Sequence, residues 1–481
     1  MLFNSFEFLL FFILFIAGYQ WLRSNLRAQN FYLFVGSYIF YGWWNWKFLF
    51  LILISSLTDF YIGKYLYRTQ EQRKRKILLV CSMSVNLGIL GFFKYFNFFS
   101  ESFAELFTAI GFRVDPYYLA IILPVGISFY TFQTMSYTID IYKGKLKASD
   151  NLINFMAFVS FFPQLVAGPI ERASNLLPQF SKQRKTTVQD WQEGLNQIFW
   201  GLFKKIVIAD NCAIYVNQIF EAPDQYPGSV LFIGAILFAF QIYGDFSGYS
   251  DMAIGIAKLM GFNLMQNFKS PYLAQNIQDF WRRWHISLST WFRDYLYIPL
   301  GGSQVEGRFK KYLNIFITFT VSGFWHGANW TFLVWGMLHG VYYMIQDTYV
   351  RLCNGSRWAI FSGKWVAIGL TFFSTVLAWI FFRAESVSEA VNIIGNILNV
   401  SLLASPISYL KLMAPPTSLL MIVIALGYLG FFELLHTNAL YSFQTAKMKR
   451  AARILAFASL ILIILLFRAT NGALDFIYFQ F

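Results

Sequence analysis

Residues 312–346 read YLNIFITFTVSGFWHGANWTFLVWGMLHGVYYMIQ. The stretch holds no Asp, Glu, Lys or Arg, and two apolar pieces, 312–325 and 328–346, meet at a polar break around His326. A hydrocarbon core about 30 Å thick takes about 20 apolar residues as helix, each rising about 1.5 Å. The stretch therefore reads as membrane-embedded helix, interrupted where the polar groups fall. Gly323 and Gly327 flank the break, and glycine lets backbones approach closely and helices end. A polar side chain at membrane depth persists mostly where it faces a cavity or a partner. If helix resumes at once, Asn329 and Trp330 share the face of His326. That is the arrangement of a histidine lining a tunnel. A packing histidine bonded to a nearby carbonyl accounts for the same residues equally well.

Composition extends this reading to the whole chain. Of 481 residues, 57% are hydrophobic and only 13% charged, where a soluble domain has about a quarter of its residues charged. Lipid must solvate much of the surface. The net charge of +14 would raise nucleic acid in a soluble protein. Here the Lys and Arg residues fall in short loops between apolar runs, where they set topology. Cys81, Cys212 and Cys353 are far apart and form neither a disulfide framework nor a metal signature. No basic residue precedes the first apolar run, 4–22, and no small-x-small site follows it, so it reads as a first span and not a cleaved leader.

Further spans are expected at 30–46, 48–67, 77–93 and 118–140, with 94–117 lying amphipathic at the interface. Residues 152–170 are apolar, but a full crossing there would place Lys182, Arg184 and Lys185 outside; Pro163, Gly168 and Pro169 also break helix. This segment is expected to be re-entrant or buried in protein. Spans 194–220, with Lys204 and Lys205 near its inner end, and 229–262 follow, the second interrupted at Gly244 and Asp245. Residues 263–311 carry seven Lys and Arg and read as cytoplasmic. Spans 365–382, 416–435 and 454–468 complete about 11 crossings plus re-entrant pieces. The N-terminus and the C-terminus both fall outside, and 1–481 reads as a single all-α membrane domain.

Four stretches carry candidate chemistry. His326 is the first. The second, 279–302, combines Trp281, Trp284 and Trp291 with Arg282, Arg283 and Arg293. Aromatic faces and guanidinium groups suit an adenine ring and phosphates, while an interfacial belt of Trp and Arg gives the same composition and is favoured on composition alone. His285 lies one turn on and could line an entrance. The third, 241–251, places Asp245 and Asp251 in an apolar run, where they could orient a histidine or pair with an arginine, which would hold them ionised; structural pairing is the favoured role. The fourth, 161–171, looks like a broken segment shaping a cavity. His339 is 13 residues from His326, about 220° round and about 20 Å along one helix, so the two do not share a site by helical geometry. His436 adds nothing further. No His, Asp or Cys spacing suggests a metal. The apolar end, 475–481, offers the phenol of Tyr478, with an interfacial aromatic anchor as the competing account.

Four quoted runs, FFPQLVAGPIERASNLLPQF, YGDFSGYSDMAIGIAKLMGFNL, NFKSPYLAQNIQDFWRRWHISLSTWFRDYLYIPLGG and SGFWHGANWTFLVWGMLHG, resemble the membrane-bound O-acyltransferase family, nearest its alginate-type branch, over nearly the full length. The resemblance implies a ring of tilted helices round a thin floor pierced by a tunnel. It implies that His326, in the W-H-G-x-x-W pattern, is catalytic, and that His285, in W-R-R-W-H, lies toward the cytoplasmic entrance. It also implies acetyl-CoA as a cytoplasmic co-substrate with no bound cofactor, and an extracytoplasmic SGNH-type partner that passes the acetyl group to a polysaccharide such as alginate. Tyr478 fits an aromatic tail motif proposed to carry the acyl group. Asn329 would bond the oxyanion or orient the imidazole. The expected setting is a bacterial cytoplasmic (inner) membrane. D-alanyl transfer in teichoic acid modification shares the same motifs. A transporter would be expected to show inverted repeats, and no repeat is visible.

Overall fold

The computed structural model describes residues 1–352, 363–435 and 450–467. Every regular element among them is helical. Among the described residues six helical runs are long and apolar enough to cross a membrane: Phe6–Ser24, Leu26–Arg68, Gln72–Ala109, Gly228–Leu259, Lys364–Arg383 and Pro416–Leu435. The second contains two 20-residue helices, Leu26–Asn45 and Leu49–Arg68. Side-chain caps set several starts: Ser5, Asn25 and Asn151 each accept a backbone N–H from three residues on.

Three boundaries differ from the sequence reading. Helix Gln72–Leu90 continues through a π-turn at Gly91–Tyr95 into Phe96–Ala109, so most of the segment expected at the interface extends the preceding helix. The helix expected from 118 begins at Ile127. Pro116 and Pro124 and the left-handed Gly126 keep the preceding chain extended. Asn97 holds that chain by giving its amide to the Leu119 carbonyl at 2.9 Å and accepting the Leu119 N–H at 3.0 Å. Gly228–Leu259 runs 32 residues without the expected break at Gly244.

The chain divides into two compact units. The first comprises Met1–Leu195 and Ala253–Met265. Its helices are joined by polar contacts, as packing in lipid favours. The buried Asp59 carboxylate accepts from Ser82 Oγ at 2.5 Å and Asn86 Nδ2 at 2.7 Å. The Arg184 guanidinium donates to Tyr19 Oη, Gln29 Oε1 and Asn30 Oδ1 at 2.6–2.8 Å. The segment expected to be broken is broken: helices Leu152–Val159 and Phe162–Leu165 are short, and every residue of 155–171 is buried.

The second unit comprises Asn196–Met252 and Gln266–Phe481. It contains a helical hairpin, Arg308–His326 and Trp330–Leu352. The two helices run antiparallel, tied far from the turn by Lys311 and Tyr312 to Asp347 at 3.2 and 3.0 Å. Near the turn their backbones nearly touch. A Cβ on Gly323 would lie 2.2 Å from the Phe332 carbonyl oxygen, and one on Gly336 2.3 Å from that of Phe319.

Candidate active site

The hairpin turn is where the polar break was expected. His326 is the last residue of its helix, and Gly327 is extended at φ −159°, ψ 155°. His326 is 4% exposed. Trp335 crosses it at 85° with ring centroids 5.0 Å apart, and Trp325 and Phe382 close two further sides at 5.0 and 5.3 Å. Asn329 does not share its face, because helix resumes only at Trp330. Its oxygen accepts the Thr331 N–H at 2.9 Å and its amide donates to the Glu385 carbonyl at 2.9 Å. Trp330 is exposed.

The structure brings His285 to His326, with ring centroids 6.2 Å apart. His285 is fully buried, so it does not line the entrance suggested for it. It precedes helix Ile286–Phe292 at φ 42°, ψ 54°, a left-handed conformation uncommon for a side chain with a Cβ. Phe246 packs edge-on against it at 4.6 Å. Among the described residues neither ring nitrogen has a hydrogen-bond partner. It lies outside the candidate spans, and burial pushes its pKa well below the usual histidine value, which favours the neutral imidazole.

The second unit holds a cavity of about 410 Å³ whose lining includes Ile286, next in sequence to His285, and Ser322, one turn before His326, but neither histidine itself. Ile315, Thr318, Phe319 and Ser322 form one wall. Spaced at three and four residues, they make a stripe on one helix face, and His326 falls four residues further on the same stripe. Ile286 and Ser289 bring the lining up to the turn at His285. Trp281, Arg282 and Arg293 complete the side where a donor was expected. The other three residues of that expected set lie elsewhere, Trp291 being buried with its ring 5.0 Å from that of Tyr295. Trp284 is fully buried among Phe280, Tyr272 and Trp379. Arg283 gives its Nε–H to Asp279 one turn earlier at 2.8 Å.

His339 joins through a tryptophan. The hairpin puts Trp335 between the two histidines, 5.0 Å from each. The Trp281 indole N–H donates to His339 Nδ1 at 3.3 Å, which fixes that nitrogen as unprotonated.

The cations that pair with Asp245 and Asp251 went unseen in the sequence. Lys204 and Lys205, read as marking the inner end of a span, are buried in the π-turn Phe203–Ala209. Lys204 Nζ lies 2.5 Å from Asp251 Oδ2, and Lys205 Nζ lies 2.9 Å from Asp210 and 2.8 Å from Asp245. The acidic pair thus binds lysines. Two aspartates inside one apolar helix were the available signal, since a buried carboxylate calls for a cation. Tyr478 and His436 lie outside the described residues.

A family model described as membrane-bound O-acyltransferase matches residues 145–387. The chain is 42% identical over 405 residues to a probable alginate O-acetylase of Pseudomonas putida, covering 82% of this chain and 80% of that one. It is 36% identical over 414 residues to a peptidoglycan O-acetyltransferase of Helicobacter pylori, covering 80% and 77%. Similarity to a teichoic acid D-alanyltransferase of Bacillus subtilis is 28% over 276 residues, covering 54% and 69%.

Proposed function

The chain belongs to the membrane-bound O-acyltransferase family, and from that premise we propose that it moves an acetyl group from cytoplasmic acetyl-CoA across the membrane for O-acetylation of an extracytoplasmic polysaccharide. In this reading about 11 helices surround a tunnel in a bacterial inner membrane, with both termini outside. A partner of SGNH type completes transfer to the sugar, alginate being one candidate acceptor. The observation that carries the reading is the lined stripe from Ile315 to Ser322, which continues to His326 with His285 beside it. The donor's thioester arm lies along that stripe, and Trp281, Arg282 and Arg293 meet its nucleotide end by stacking and charge.

His326 accepts the proton of an acceptor hydroxyl, for which Tyr478 is the candidate within this chain. The freed oxygen attacks the thioester carbon, the C–S bond breaks, and the thiolate leaves with the proton held by the imidazole. The neutral His285 beside it offers a ring N–H to the oxyanion. Asn329, with its side chain engaged by backbone groups, fixes the start of the second hairpin helix.

The test is acetyl transfer from radiolabelled acetyl-CoA by the purified protein in detergent. Wild type is compared with His326→Ala and Tyr478→Phe. Label on the wild-type protein, lost in both variants, supports a tyrosine-borne acetyl group formed by His326. Label lost only with His326→Ala keeps the enzyme and removes the tyrosine relay. Activity near wild type in His326→Ala refutes the assignment. No labelling and no thioester hydrolysis, even with partner and polysaccharide added, turns the choice to D-alanyl transfer, the second reading supported by the Bacillus subtilis relative.

A further inference from the structure

His285 holds a left-handed backbone conformation that is strained for a residue with a Cβ and persists only where its surroundings over-determine it. Several of the constraints on the turn come from Asn267, which is 1% exposed. Its carbonyl accepts the Ile286 N–H at 2.9 Å. Its Oδ1 accepts the Ser287 N–H at 3.3 Å and the Ser287 hydroxyl at 2.8 Å. Its Nδ2–H donates to Ser250 Oγ at 3.0 Å, on helix Gly228–Leu259. Before the turn, the Lys269 N–H donates to the Arg283 carbonyl at 2.9 Å. Segment 267–269 thus grips the chain on both sides of His285 and ties it to a long helix. Phe268, between the gripping residues, lies parallel to the imidazole at 6.4 Å. Asn267 does not line the cavity, so any effect it has on catalysis runs through what it holds.

We propose that Asn267 is a positioning residue that keeps His285 in its left-handed turn against His326, a role that rests on the acyl-transfer reading of the two histidines. A buried amide that only glued a loop to a helix would predict lost stability spread over the unit. Positioning predicts a loss specific to the chemical step and dependent on His285 being present.

The experiment is a double-mutant cycle on the full-length protein in detergent, using Asn267→Ala and His285→Gln. The expected result is that Asn267→Ala lowers kcat about 30- to 100-fold, the scale of a misplacement near 1 Å, while KM for acetyl-CoA moves less than about threefold. In the His285→Gln background the same substitution should lower kcat by less than about threefold further, because coupled residues are not additive. Equal losses in both backgrounds, or unchanged kcat in Asn267→Ala, overturn the proposal. Should Asn267→Ala fail to fold, Ser287→Ala removes one of the gripping bonds and runs through the same cycle. A second readout needs no acyl donor: diethyl pyrocarbonate modification followed residue by residue. Asn267→Ala should speed labelling of His285 at least about tenfold and leave the equally buried His339 unchanged, because opening is local. Equal release of both histidines overturns the proposal. Wild-type protein that transfers no acetyl group counts against the acyl-transfer reading, while the labelling still decides whether Asn267 holds His285.

Discussion

Gly336 and Gly340 lie one turn apart on the same hairpin helix, yet alanine should have opposite effects at the two. At Gly340 an added methyl would meet Phe316 at 3.4 Å and Phe319 at 3.6 Å, ordinary contact. At Gly336 it would meet the Phe319 carbonyl oxygen at 2.3 Å and Gly323 Cα at 3.2 Å. Carbon and carbonyl oxygen rest no closer than about 3.3 Å, so the helices must part by about 1 Å. Both substitutions gain about 1 kcal/mol of helix propensity. Gly340→Ala keeps that gain and adds contact. Gly336→Ala sets it against overpacking, which costs typically 1–3 kcal/mol, and the parting falls next to Trp335, the ring that covers His326. Thermal unfolding in detergent should therefore place Gly340→Ala at or above wild type and Gly336→Ala below it. Acetyl transfer by Gly336→Ala should fall about 100-fold, as for other misplacements near 1 Å, with Gly340→Ala near wild type. Equal stability of the two variants, or full activity in Gly336→Ala, would refute the close-packed turn as the support of the site.

Glu171, outside the candidate spans, is buried, and desolvation raises its carboxyl from 4.5 to about 7 against the hydrogen bonds it accepts from Met265 and Asn175. A carboxyl with a raised folded pKa contributes most at low pH and loses its contribution as pH rises from about 4.5 through about 7. E171Q should match wild type near pH 4.5 and exceed it by up to about 3 kcal/mol at pH 8, read from urea or thermal unfolding; a pH-independent difference refutes the burial of the charge. Asp251→Asn leaves Lys204 buried beside a neutral partner and should cost roughly 3–5 kcal/mol, while the double change Lys204→Met with Asp251→Leu recovers most of it. An Asp251→Asn variant as stable as wild type would show that the lysine finds water.

The hairpin at His326 was legible because three signals coincide there: apolar length, an interruption and flanking glycines. The buried break at 152–170 was legible because charge topology and helix breakers agreed. The expected donor face was legible only by composition. Residues 281–285 pass from a helical turn into a left-handed residue, so neighbours point different ways, and Trp284 and Arg283 cannot be separated from Trp281 and Arg282 by type. The convergence of His285 and His326, 41 positions apart, depends on a turn held by Asn267, and no periodicity reports that. Lys204 and Lys205 were misplaced because a lysine pair near an apolar boundary looks the same whether it meets headgroups or carboxylates. The uninterrupted helix through Gly244 shows that one glycine is insufficient to stop a helix whose neighbours pack on it.

The first compact unit is not contiguous in sequence, and this bears on how the protein is made. Tyr19 donates to the Met260 carbonyl at 2.9 Å, and Gln20 to that of Leu259 at 3.3 Å. Tyr19 is synthesised 241 residues before its acceptor. Arg184, which grips Tyr19 through its Nε–H at 2.7 Å, emerges in between. Residues 196–252, which belong to the other unit, must pass the insertion machinery before Ala253–Met265 can close the first. Nascent chains halted shortly after residue 195 should therefore stay sensitive to protease and need a chaperone in the bilayer, whereas chains halted beyond 265 should acquire resistance in their N-terminal helices together.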